Sequence, residues 1–193
     1  MKIEKSDRRV KYTKMLLKKS LVELMREQPI SKISIKILCE AADINRSTFY
    51  AHYTDQYDLL KQLEQEVITE LKKHIFKEDF SRHSPQTMHV MNQILDYVAR
   101  NCDLFKILLS ENGDTSFHKE MMYLAQQAAI SDINNNVSID ERTSEYLQCF
   151  AVTGTLSIVQ KWLQDGMVES TEKMTELISR ILYKGTDSFH PSK

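Results

Sequence analysis

The sequence predicts an all-α protein, and three observations carry that expectation. Only 4 Gly and 3 Pro stand among 193 residues rich in good helix formers, which leaves little material for turns. Apolar residues recur three and four apart through most of the chain, the period of a helix with one buried face. Cap-forming residues stand where those periodic runs begin: Ser34, Asn45, Asp55, Ser84, Asn101 and Ser138. At 22.6 kDa the chain is long enough for one or two helical domains, each with a core.

Taken in order, Met1 to Arg9 reads as a charged arm able to reach a phosphate or a minor groove. Val10 to Gln28 is an amphipathic helix. Its Leu17, Leu21, Leu24 and Met25 share one face, Lys11, Lys14 and Lys18 lie elsewhere and are expected to lend positive charge to the DNA side, and it ends before Pro29. Ser34 caps the next helix, in which Ile35, Leu38, Cys39 and Ala42 form a buried face. The chain then turns at Asp43, one of the few residue types apart from glycine that tolerates a left-handed backbone, and Ile44 plugs the turn into the core. Asn45 caps a second short helix. There Phe49 and Tyr53 point inward, while Arg46, Ser47, Thr48, Tyr50 and His52 are left on the other faces. Asp55 and Asp58 resemble a capping box that opens a helix from Gln56 through Leu59, Leu60, Leu63, Val67 and Leu71 to Phe76, ~30 Å of rod at about 1.5 Å per residue.

Two short helices joined by a tight turn, with donors and acceptors clustered at the start of the second, are what a helix-turn-helix presents to base edges and phosphates. The expected DNA-facing residues are Ser34, Lys36, Asn45, Arg46, Ser47, Thr48, Tyr50, His52, Gln56 and Tyr57. The charge distribution agrees. Residues 1–53 hold 12 of the 26 Lys and Arg but only 6 of the 27 Asp and Glu, so they carry +6 and the remainder carries −7. A basic head suits a polyanion, and an acidic body does not.

The stretch IKILCEAADINRSTFYAHYTDQYDLL resembles the DNA-binding region of the TetR/AcrR family of bacterial transcriptional regulators. The likeness rests on an ordered series: Ile35, Leu38, Ala42, Ile44 with Asn45, then Thr48-Phe49-Tyr50 and His52-Tyr53. It is strong over Val10 to Leu63 and general beyond. Two positions depart from the family's habit: Asp43 stands where a glycine is usual, and Gln56 where a lysine that meets a phosphate is usual. The resemblance implies a DNA-binding domain over residues 1–54 and a helical ligand-binding and dimerisation domain over residues 55–193.

In that second region, Pro85 to Arg100 continues the helical period through Met88, Met91, Ile94, Leu95 and Val98. Asp103 to Ser110 forms a shorter helix stopped at Asn112-Gly113, and Phe117 to Ile133 forms another, followed by a loop at Asn134 to Asn136. Ser138 and Glu141 make a capping box for a helix to Gln164 with a nearly unbroken apolar patch, stopped by Gly166. Ser170 to Lys184 carries a single clean stripe. The resemblance implies that this last pair joins the same pair of a second subunit in a four-helix bundle. The interface is expected at Phe150, Gly154, Ile158, Trp162, Met174, Leu177, Ile178 and Ile181. Met88, Met91, Phe105, Phe117, Met121 and Tyr123 are the candidate lining of an effector cavity, because methionine and aromatic side chains line adaptable apolar sites.

Catalytic motifs are missing from the sequence: there is no Gly-rich phosphate loop, no nucleophile elbow, and no i,i+4 pair among the six histidines to ligate a metal. No cofactor is implied. Three cysteines, Cys39, Cys102 and Cys149, without C-x-x-C spacing read as reduced core residues in a cytoplasmic protein, and no apolar run reaches the ~20 residues needed to cross a bilayer. The expectation is a homodimeric repressor that reads a pseudo-palindromic double-stranded DNA operator and is released by an apolar or amphipathic small molecule. The body also has a weak likeness to the dihydroxyacetone kinase regulators within the family, carried by YVARNCDLFKILLSENG. Two alternatives stay open: a partner-dependent co-regulator without a ligand of its own, and a dimeric helical module that no longer binds DNA.

Overall fold

Short-range caps and apolar stripes determine where this chain is helical. The computed structural model describes residues 2–75, 85–110, 115–133 and 141–184, apart from the side chains of 2–7, 85–87, 128–133 and 183–184. Among these are nine α-helices and one 3-10 turn, and no strand. They are α1 (Lys2–Glu27), the 3-10 turn Ile30–Lys32, α2 (Ile35–Ala42), α3 (Arg46–Tyr50), α4 (Gln56–Ile75), α5 (Pro85–Arg100), α6 (Cys102–Leu108), α7 (Thr115–Ile133), α8 (Glu141–Gln164) and α9 (Thr171–Lys184). The expected caps at Ser84 and Ser138, the stop at Asn112-Gly113 and the loop at Asn134 to Asn136 lie outside the described residues.

The all-helical expectation holds, with one correction at the start. The residues expected as a free arm before Val10 are helical from Lys2. Lys2 to Arg9 contains neither Gly nor Pro, so nothing in it opposes extension of the helix toward the N-terminus.

The chain divides into two compact units, one of Met1–Val67 with Ile107–Asp114, the other of Ile68–Lys106 with Thr115–Lys193. In the first, the head, α1 packs on α2 and α2 on α3. Leu17 and Leu21 of α1, Leu38 of α2, Phe49 of α3 and Leu59 of α4 are wholly buried there. Burial of such side chains contributes roughly 1.5–3 kcal/mol each, which is what holds helices as short as α2 and α3 in place. In the second, the body, α5 packs on α9, α7 on α8, and α8 on α9. Leu95, Phe105, Phe117, Leu124, Leu163 and Ile178 form its most deeply buried layer. Asn101, expected to cap α6, accepts the Phe105 N–H on its backbone carbonyl, while its side-chain amide donates back to the Tyr97 carbonyl at 2.8 Å. It therefore closes α5 as much as it opens α6. Gly166, at φ +85, supplies the left-handed turn between α8 and α9.

Candidate nucleic-acid interface

Each bend of the head is fixed by a local hydrogen bond. The Ile37 N–H donates to Ser34 Oγ at 3.3 Å, capping α2. Asp43 sits at φ 52, ψ 45, and its backbone N–H closes onto the Cys39 and Glu40 carbonyls. Ile44 N–H follows onto the Cys39 carbonyl at 2.9 Å. Asn45 Oδ1 then accepts from the Ser47 N–H at 3.1 Å and from the Ser47 hydroxyl at 3.2 Å, which starts α3. Asp43 thus adopts the left-handed backbone expected of it at the turn.

The turn brings Lys36, Asn45 and Arg46 to the rim of one open cleft of roughly 380 Å³, lined also by Cys39, Glu40, Asp43 and Ile44. Its charge is mixed: Lys36 stands 3.9 Å from Glu40, both well exposed. Burial pushes the Cys39 thiol up, against the pull of the Arg46 guanidinium. Cys39 is thus a buried wall of the cleft, whereas Cys102 is half-buried and Cys149 exposed, so the expectation of three core cysteines holds for Cys39 alone. Arg46, Ser47 and Tyr50 face solvent, Tyr50 at 58 % exposure, while Thr48 and His52 are half-buried. Tyr50 stands edge-on to the buried Phe49 at 5.6 Å between ring centres, which restricts where its hydroxyl can reach.

At the start of α4 the two aspartates act as expected, with a shift of one residue in the return bond. Asp58 N–H donates to Asp55 Oδ1 at 2.8 Å, and Asp58 Oδ2 accepts from the Thr54 N–H at 2.9 Å. That bond, with one from Gln62, holds the Asp58 carboxyl below the usual carboxylate range. Gln56 and Tyr57 occupy the first turn, half-buried and half-exposed respectively. Ser34 and Asn45 are explained by capping alone; their hydroxyl and amide protons are what could still be offered outward.

The other two expected sets are divided by the structure. Of the ligand candidates, Phe105 and Phe117 are fully buried, Met91 and Met121 half-buried, and Met88 and Tyr123 exposed. The six are thus spread from core to surface. Phe105 is core in the plain sense, its ring edge-on to Tyr97 at 5.8 Å. Of the interface candidates, Trp162, Met174 and Ile178 are buried within the single chain. Their burial needs no second copy. Trp162 Nε1–H donates to the Glu169 carbonyl at 3.0 Å, tying α8 to the turn that follows, and α5 covers the α9 stripe. Gly154, Ile158, Leu177 and Ile181 are half-buried, and Phe150 is 65 % exposed. Tyr146 and Leu147, exposed beside Phe150 on α8, were not among the expected residues although they continue its patch.

Comparison with known proteins decides the family. The family model for the TetR-type transcriptional regulator C-terminal region matches residues 86–184, just over half of the chain. The chain belongs to the TetR family of transcriptional regulators. A helix-turn-helix-type regulator of Bacillus subtilis named YxbF is 23 % identical over 175 residues, 85 % of this chain and 44 % of the relative. The chain thus spans less than half the length of that relative. Among solved structures, a TetR regulator from Streptococcus agalactiae is 22 % identical with a TM-score of 0.64, covering 93 % of this chain and 98 % of that one. The dihydroxyacetone kinase operon activator DhaS is 16 % identical with a TM-score of 0.61 over the same shares. The regulator FadR of B. subtilis, solved with stearoyl-CoA, is 14 % identical with a TM-score of 0.63, covering 89 % of this chain and 98 % of that one. These likenesses carry the fold. For this TetR-family chain, no helix among the described residues is long and apolar enough to cross a membrane.

Proposed function

We propose that this TetR-family protein is a homodimeric, sequence-specific DNA-binding repressor whose α3 reads the major groove of a pseudo-palindromic operator. The observation that carries the proposal is the α2–turn–α3 geometry. It exposes Arg46, Ser47 and Tyr50 together, a polar edge with a guanidinium able to meet bases and phosphates, and sets Lys36 and Arg46 on a cleft they share with Glu40 and Asp43. One head fills one stretch of groove, so two heads on half-sites about 34–36 Å apart, or a multiple of that, would supply specificity. The second copy is assigned to the exposed face of α8, where Tyr146, Leu147 and Phe150 form a patch that the protomer leaves uncovered. FadR, of similar fold, holds stearoyl-CoA, which supports an amphipathic effector for the body of this chain too.

A duplex recovered by the full chain from a randomised DNA pool tests the proposal. Arg46→Ala and Tyr50→Ala should each weaken binding to it by about 1–3 kcal/mol with helical content unchanged. Normal affinity in both variants would remove α3 from the DNA. A second reading, a co-regulator that acts through a partner protein, is favoured by the scatter of the six ligand candidates between core and surface. A body that takes up no acyl-CoA or other amphiphile in calorimetry would support that second reading.

A further inference from the structure

α3 is five residues long, too short to hold its own shape or pose. Its position is therefore imposed by what touches it and the turn that follows. Tyr53 is the strongest such tie. Its N–H donates to the Phe49 carbonyl at 3.0 Å, its ring lies 5.7 Å from that of Phe49, and it is 2 % exposed. Its hydroxyl makes no hydrogen bond among the described residues, and burial, with the negative charges of Glu66 and Asp58, pushes its pKa up to about 12. The ring is held from the α1 side by the Lys14 ammonium, 5.7 Å from its centre. One turn along α1, Lys18 Nζ meets both carboxylate oxygens of Glu66, at 2.6 and 2.5 Å, and Lys18 is only 19 % exposed. Lys14 and Lys18, expected to lend charge to the DNA side, are thus turned inward onto Tyr53 and α4.

We infer that Lys18 and Glu66 are positioning residues of the DNA-reading head: by locking α1 to α4 beside Tyr53 they fix where α3 presents Arg46 and Tyr50, without touching DNA themselves. This rests on the DNA-binding reading above. A lysine that meets a phosphate and a lysine that positions a helix differ in salt dependence, because only the first releases a counterion on binding.

The test uses the full chain, the duplex it recovers from a randomised pool, and affinities measured over a range of salt at a temperature where every variant is fully folded. Lys18→Gln and Glu66→Gln should each bind about three- to tenfold more weakly, as the loss of one partly shielded ion pair in each of two heads would give, with the slope against salt unchanged. The exchange of Lys18→Glu with Glu66→Lys should restore affinity to within about twofold. A slope lowered by about two in Lys18→Gln, one for each head, with Glu66→Gln binding as well as the parent, would make Lys18 a phosphate contact and overturn the inference. So would changes in melting temperature alone, with affinities equal to the parent's. Should the parent recover no duplex, the DNA-binding reading itself fails, and the inference falls with it.

Discussion

α8 and α9 are neighbours in the chain and pack on each other, yet they leave opposite surfaces to solvent. α9 buries Met174, Thr175 and Ile178 and turns Glu172, Lys173, Glu176 and Arg180 outward. α5 takes its stripe, and two side-chain bonds fix the register: Thr171 Oγ1–H to Asp96 Oδ1 at 2.5 Å and Thr175 Oγ1–H to Asn92 Oδ1 at 3.2 Å. α8 buries Val152, Val159, Trp162 and Leu163 but leaves Tyr146, Leu147 and Phe150 at 64 %, 46 % and 65 % exposure. The difference teaches that a helix with one apolar face is satisfied inside its own protomer. A helix apolar on two faces has one face more than the protomer covers, and that remainder is the face to which the proposed second copy is assigned.

The largest expected effect tests the α9 side of this contrast. Ile178 is 1 % exposed, so Ile178→Glu buries an unpaired carboxylate in the protomer core at a cost of several kcal/mol. Unfolding followed by circular dichroism should show an early transition that does not depend on protein concentration. A variant that stays folded and merely dissociates into monomers would invert the comparison and return the α9 stripe to the interface.

Phe150→Glu tests the other side. At 65 % exposure the ring contributes little to the protomer, and a surface substitution there should move protomer stability by about 0.5 kcal/mol or less. Light scattering should nevertheless give the monomer mass, and operator affinity should fall although no DNA-facing residue has changed. An unchanged dimer would move the interface off α8.

The same contrast explains what the sequence could and could not convey. The bends of the head were legible because their causes are local: Ser34 caps three residues on, Asn45 two residues on, and Asp43 adopts φ 52 within the turn itself. The ties that decide how elements meet are not local. Lys18 and Glu66 are 48 residues apart, and Thr171 and Asp96 are 75 apart. No spacing rule links them. Periodicity marked Met174 and Ile178 as bound for burial but could not say whether α5 or another chain would cover them. Residue type marked Phe105 and Tyr123 alike as apolar, yet one is fully buried and the other 57 % exposed, because a void is a property of packing and not of composition.

Gly154 gives the smallest and most discriminating effect. It lies inside α8, where glycine costs about 1 kcal/mol of helix stability relative to alanine, and a Cβ built on it would meet nothing within 4 Å in the protomer. Nothing among the described residues therefore requires glycine, and Gly154→Ala should stabilise the diluted protomer by about 1 kcal/mol. A docked second copy changes the sign only if one of its helices passes close to that backbone, since the added methyl would then force the two helices apart. The two quantities are separable: thermal unfolding at low concentration reads the protomer, and the concentration dependence of the molar mass reads the dimer. A stabilised protomer with a weakened dimer would place the close approach at Gly154. Stabilisation of both would put the contact nearer Tyr146 and Phe150, leaving the glycine outside it.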